Sequence, residues 1–149
     1  MGCDVSSCEI SGDIGKIKIN SWAHFVDRTE ETQGPFTRAR ETFYRSIDWA
    51  LDISEARFKG FDVTGIPARL FRRDQESQAV VTRERVIAED GQRMARANGN
   101  PWLPWVRGAL SDGSSDGVLV TPLGAPKTER DEFLQGLRQL RDLEIAEPD

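Results

Sequence analysis

His24 is the only histidine among the 149 residues, and its side chain is the one best suited to acid–base chemistry near neutral pH. Asp27 and Glu31 follow closely, so either carboxylate could orient the imidazole. The spacing singles out no nucleophile, because Ser21 is one of many serines. A small hydrolase or transferase that uses His24 is therefore an alternative hypothesis, and a structural histidine is the simpler interpretation.

A second unusual segment is NPWLPWVRG, residues 100–108, which contains two of the four tryptophans. Proline fixes φ and removes a backbone donor, so the segment is predicted to be extended and stiff. Rigid display of Trp102, Leu103 and Trp105 is typical of a binding hot spot, and Arg107 lies beside them. The alternative is that the indoles fold back as a lid over the core. The sequence leaves both interpretations open.

Arginine supplies 16 of the 20 basic residues and is concentrated in one part of the chain. Residues 69–96 contain seven arginines and five acids, whereas residues 128–149 contain seven acids and three arginines. Because opposite charges attract, we expect the two regions to attract each other. The arginines could instead form a second contact surface for a partner, with the candidates Arg72, Arg73, Arg83 and Arg85.

These arginines could also contact phosphate groups, which makes a nucleic-acid-associated factor the third hypothesis. Two acids, Glu84 and Glu89, interrupt the basic stretch. The net charge of −5 opposes a nucleic-acid footprint over the whole surface. Another protein is therefore the expected partner, ahead of nucleic acid.

Motifs for metals, phosphates and lipids are weak or absent. Neither GxxxxGK[ST] nor GxGxxG occurs, and Cys3, Cys8 and His24 are too few for a zinc site. We therefore expect no metal and no cofactor. The opening MGCDVS fits a lipidation pattern at Gly2 and Cys3, but the charge of Asp4 beside the acceptor disfavours it.

The composition is that of a soluble domain. Hydrophobic residues make up 38% and charged residues 30%, and no apolar run approaches the length that a membrane span needs. The sequence shows no secretory signal, so a cytoplasmic location is expected. Residues 1–12 are expected to be a flexible N-terminus, and residues 13–149 a single domain.

The first predicted elements are a strand and a long helix. Ile17 and Ile19 alternate with polar residues, which predicts a strand in GKIKINSWAHF, and the polar residues 27–35 are predicted to be a loop. Helical spacing then predicts one long central helix ended by Gly60. Its apolar positions are Phe36, Ala39, Phe43, Ile47, Leu51 and Phe58.

Residues 47–58 also have a competing interpretation. Ile47, Trp49, Leu51 and Ile53 alternate strictly, so the helix could end near residue 46 and a strand could follow. The local pattern does not decide between helix and strand here.

Further along, residues 61–73 are predicted to be an edge strand interrupted at Gly65 and Pro67. Residues 78–88 are rich in β-branched side chains and are predicted to pair with this strand as a hairpin. Residues 108–117 are predicted to be a loop.

The chain then ends with a short apolar strand and a helix. The helix is predicted to begin at a capping box formed by Thr128 and Asp131. Its apolar face consists of Phe133, Leu134, Leu137, Leu140 and Ile145.

These elements predict a single α+β domain with a mostly antiparallel sheet, one long central helix and a C-terminal amphipathic helix. The leading functional hypothesis is a non-enzymatic protein–protein interaction module that acts by stoichiometric binding, as an inhibitor, an immunity-type protein or an assembly subunit. The stiff tryptophan segment and the enrichment in arginine favour it. Oligomeric state is left open.

Overall fold

The computed structural model describes residues 5–20, 29–88, 92–111 and 114–147, which contain both strands and helices. The strands are β1 (Cys8–Glu9), β2 (Gly12–Ile19), β3 (Leu51–Asp52), β4 (Ala56–Val63), β5 (Phe71–Arg72), β6 (Gln78–Thr82) and β7 (Asp116–Val120). The helices are α1 (Glu30–Arg45), α2 (Arg83–Ile87), α3 (Gln92–Arg96), α4 (Leu103–Ser111) and α5 (Lys127–Asp142), with a 3-10 turn at Ala68–Leu70. This content agrees with the predicted α+β class.

Most strand pairs in the described part of the chain are parallel. β2 pairs with β4 in parallel, and β1, β3 and β5 form a parallel sheet in that order. Among the described strands, only β6 and β7 pair in antiparallel fashion. The prediction of a mostly antiparallel sheet is therefore wrong. α1 lies between β2 and β4 in the chain, and a helical crossover of this kind brings the second strand back in the same direction as the first.

α1 begins earlier than the sequence pattern predicts. The Thr29 side chain accepts a hydrogen bond from the Thr32 amide, and Glu30 and Glu31 lie in the first turn, where acidic side chains are favourable. The predicted loop over residues 27–35 is therefore wrong from residue 30 onward, and residues 27 and 28 lie outside the described ranges. The cap and the acidic first turn favour this start, and the helix continues through Gly34 and Pro35.

α1 also ends earlier than predicted. The Ser46 amide donates to the Phe43 carbonyl at 2.9 Å, and no helical residue follows before β3. Leu51 and Ile53 are buried as the strand interpretation requires. The helix predicted to extend to Gly60 is wrong, and the alternative of a helix followed by a strand is confirmed.

The predicted hairpin between residues 61–73 and 78–88 is wrong as well. β6 pairs with β7, a strand that follows three helices later. The second half of the predicted strand is the helix α2, whose start is capped by the Thr82 side chain accepting from the Arg85 amide at 3.3 Å. A threonine at this position satisfies an amide that a helix start leaves unpaired, so the chain leaves the sheet here.

The β6–β7 pair separates two clusters of buried side chains. Its side chains alternate, so that Val80, Val118 and Val120 pack with the parallel sheets. Ala79, Val81 and Leu119 point the other way and pack with α4 and α5. We call these the sheet core and the helix core. The two cores share one antiparallel ribbon.

The C-terminal helix closes the helix core. Leu137 and Leu140 of α5 are fully buried, as predicted from their spacing. The predicted capping box is wrong, because α5 has Pro126 at its N-cap and no side-chain cap there. After α5 the chain returns along β6, where Ala146 forms an isolated antiparallel bridge with Val81. None of the described helices has the length and apolar character needed to cross a membrane.

Candidate binding surface

The predicted acid–base residues are only partly within the described structure. His24 and Asp27 lie outside the described residues. Glu31 lies in the first turn of α1 and is exposed. In the ranges that the structure describes, no group of three His, Cys, Asp or Glu side chains could hold a metal ion. The catalytic hypothesis therefore stays a prediction.

The tryptophan segment is helical rather than extended. The Asn100 side-chain oxygen accepts from the Trp102 amide at 2.9 Å, and the Asn100 carbonyl accepts from the Leu103 amide. α4 then begins at Leu103. Pro104 lies in the first turn, where a helix does not need the amide that proline lacks. The prediction of an extended segment is wrong because Asn100 holds a turn at residues 100–103 that leads into α4, and Pro104 lies in the first helical turn, where proline is tolerated.

The predicted hot-spot residues separate into buried and accessible ones. Trp102 and Leu103 are each only 4% exposed, so they belong to the core as the lid interpretation describes. The Trp102 ring meets Phe133 edge to face, and its Nε1 donates to the Phe133 carbonyl at 2.9 Å. Trp105 is half-buried and Arg107 is exposed. Only the last two can contact another molecule directly.

Three of the four predicted arginines bind other parts of the same chain. Arg73 forms an ion pair with Glu147. Arg83 donates to the Ser114 carbonyl, and Arg85 donates to the Glu144 carbonyl. The expected attraction between the arginine-rich region and the acidic C-terminal region is confirmed by the Arg73 pair, and a second ion pair joins Arg93 to Glu144.

The fourth arginine, Arg72, lies on an aromatic ring at the surface. Its guanidinium carbon is 4.1 Å from the centre of the Trp49 ring, and its Nη1 is 3.9 Å from Asp52 Oδ2. The other oxygen of Asp52 accepts from the Ser54 amide and hydroxyl, at 3.2 and 2.6 Å. These hydrogen bonds orient the carboxylate, whose negative charge lies beside the guanidinium over the ring. We call these four residues the Trp49–Arg72 stack.

The parallel sheet positions this stack. Glu9, Asp52 and Arg72 are register neighbours on β1, β3 and β5, so their side chains share one face. Leu51 and Phe71 point to the other face and are buried. The Arg72 side chain remains 56% exposed. The result is an accessible arginine on β5 beside a half-buried tryptophan that lies just before β3.

Comparison with known proteins gives no family. Neither a protein-family model, nor a curated protein, nor a solved structure matches the chain. The function of this protein therefore has to be argued from its own side chains.

Proposed function

We propose that this protein is a stoichiometric protein-binding module, acting as an inhibitor, an immunity-type protein or an assembly subunit, and that it binds its partner through the Trp49–Arg72 stack. Tryptophan and arginine are the residues most enriched at the energetic centres of protein interfaces. The single observation that carries the proposal is the exposed guanidinium stacked on the Trp49 ring.

Rigidity before binding supports this role. A long arginine side chain normally loses conformational freedom when a partner immobilises it. Here the Trp49 ring, Asp52 and Ser54 already restrict Arg72 in the free protein. Less entropy remains to be lost on association, so more of the contact energy contributes to affinity.

Other predicted contact residues take supporting roles in this proposal. Trp105 and Arg107 are accessible enough to extend an interface. Trp102 and Leu103 would act indirectly, by fixing the position of α4 from inside the helix core. Arg73, Arg83 and Arg85 each contact another part of the same chain, so they do not form a continuous basic face for phosphate groups, which disfavours the nucleic-acid hypothesis.

The test is a quantitative pull-down from an extract of the source organism, with the tagged protein as bait. We expect the wild-type protein to retain a partner in near-equimolar amount. Trp49→Ala and Arg72→Ala should each reduce the retained amount about tenfold or more, because truncating a hot-spot residue costs on the order of 2 kcal/mol.

Arg38→Ala serves as the matched control, since it removes an exposed arginine of α1 that pairs only weakly with Glu30. Circular dichroism should show that all variants remain folded. Equal retention of the partner by the wild-type protein and both stack variants would show that the binding surface lies elsewhere. Absence of any near-equimolar partner would contradict the proposed function itself.

A further inference from the structure

A cleft of about 350 Å³ is lined by residues of β2, β4, the segment that precedes α5 and the first turn of α5. Asp13 and Gly15 of β2 and Arg57 and Lys59 of β4 line one part of it. The remaining lining residues are Ile14, Leu123, Gly124, Ala125 and Arg130. Its volume is in the range of small-molecule sites.

Two glycines give the cleft its shape. The Gly124 amide donates to the Phe58 carbonyl at 2.8 Å, and a Cβ at Gly124 would lie 3.1 Å from the carbonyl oxygens of Arg57 and Phe58. Only glycine allows this segment to approach β4 so closely. A Cβ at Gly15 would meet nothing within 4 Å, so the missing side chain there leaves open space.

The cleft is basic although the protein is acidic. Arg57, Lys59 and Arg130 line it, against the single lining acid Asp13, and Arg130 Nε also donates to Asp131 Oδ1 at 3.4 Å. Asp13 pairs with Arg57 at 3.4 Å, but both side chains are more than half exposed, so water or an anion can replace this contact at little cost.

Lysine is concentrated in the same elements, but Lys59 is the one lysine that lines the cleft, and Lys18 forms an ion pair with Asp62 at 2.9 Å. The chain has four lysines, and all of them lie on β2, β4 or the first residue of α5. They are Lys16, Lys18, Lys59 and Lys127. Because the net charge of the whole chain is −5, this concentration of positive charge is local.

We propose that the cleft binds the phosphate groups of a small phosphorylated molecule. Arg57 and Arg130 each present a planar fork of donors that suits phosphate oxygens, and Lys59 adds a point charge. The open space above Gly15 accommodates the rest of the ligand. This site is independent of the Trp49–Arg72 stack.

The test is calorimetric titration of the full chain with pyrophosphate at low ionic strength. We expect saturable binding of one pyrophosphate per chain. Arg57→Gln and Arg130→Gln should each weaken it about tenfold, as expected when a charged hydrogen bond of this kind is lost. Gly15→Val should weaken it similarly without changing any charge, because its side chain occupies the open space.

Arg45→Gln is the matched control, since it removes an equal charge from an exposed position on α1. Thermal unfolding checks that Gly15→Val remains folded. Non-saturable binding, or an equal loss of affinity in Arg45→Gln, would overturn the proposal by showing a diffuse charge effect. Tighter binding of a short oligonucleotide, unaffected by Gly15→Val, would overturn it in favour of a nucleic-acid surface.

Discussion

Among single residues, Trp102 shows how a side chain with the chemistry of a binding residue can serve the core instead. We expect Trp102→Ala to lower the free energy of unfolding by about 3–5 kcal/mol, because it leaves a cavity beside Phe133 and removes the indole hydrogen bond to the Phe133 carbonyl. Urea denaturation followed by circular dichroism measures this change.

Arg107→Ala is the comparison at an exposed position of the same segment, and it should change stability by less than about 0.5 kcal/mol. If Trp102→Ala unfolds at the same urea concentration as Arg107→Ala, the indole is not part of the core in solution.

Residue types alone did not identify the candidate site. The alternation predicts Trp49 only as one member of an apolar series, and Arg72 is one of four arginines predicted as a second contact surface. They meet because Trp49 lies two residues before β3, which lies beside β5 in the parallel sheet, and no local pattern encodes a contact between residues so far apart in the chain. The charge imbalance between residues 69–96 and 128–149, in contrast, was visible in the sequence and correctly predicted internal ion pairs.

At the scale of elements, two helical glycines should respond oppositely to the same substitution. We expect Gly136→Ala in α5 to lower the free energy of unfolding by about 1–3 kcal/mol, since its Cβ would lie 3.0 Å from the ring of Pro101 and 3.1 Å from Asn100 Oδ1. Asn100 cannot move easily, because its amide is hydrogen-bonded to Gly136 and Gln139.

Gly108→Ala in α4 should raise the free energy of unfolding by about 0.5–1 kcal/mol, because its Cβ would meet nothing within 4 Å and alanine favours helix. Thermal unfolding of both variants tests the pair. A stabilising Gly136→Ala would show that α5 does not pack closely on this turn.

Helices and strands whose apolar residues recur at regular spacing were predictable from the sequence. The alternation around Ile17 and the spacing of Leu137 and Leu140 correctly predicted β2 and α5. The helix starts were mispredicted where local hydrogen bonds set them, at the N-caps Thr29 and Thr82 and at the turn that Asn100 forms before α4. Each of these hydrogen bonds involves one side chain and leaves no periodic signal in the sequence.

At the scale of the whole molecule, the shared β6–β7 ribbon should couple the two cores. We expect Leu137→Ala in the helix core to reduce amide hydrogen-exchange protection in both cores, at Leu140 and equally at Phe58. The loss of protection should correspond to about 2–5 kcal/mol. Both cores pack on the β6–β7 ribbon, so unfolding of one core removes a packing surface of the other. Loss of protection confined to the helix core would show that the two cores unfold separately.

Strand direction was the property least accessible to sequence reasoning. Periodicity reports which face of a strand is buried, but it does not report which strand lies beside it. The antiparallel prediction depended on a hairpin between neighbouring segments, whereas β6 in fact pairs with β7, which follows α2, α3 and α4 in the chain.

The parallel register of β2 and β4 also affects how the protein is made. Gly12 pairs with Ala56 and Ile19 with Val63, so β2 emerges from the ribosome before its partner strand does. During that interval its isoleucines have no sheet to join, and unpaired apolar strands are the segments most prone to aggregation. Lys16 and Lys18 lie between those isoleucines, and their positive charge opposes self-association of the unpaired strand during translation.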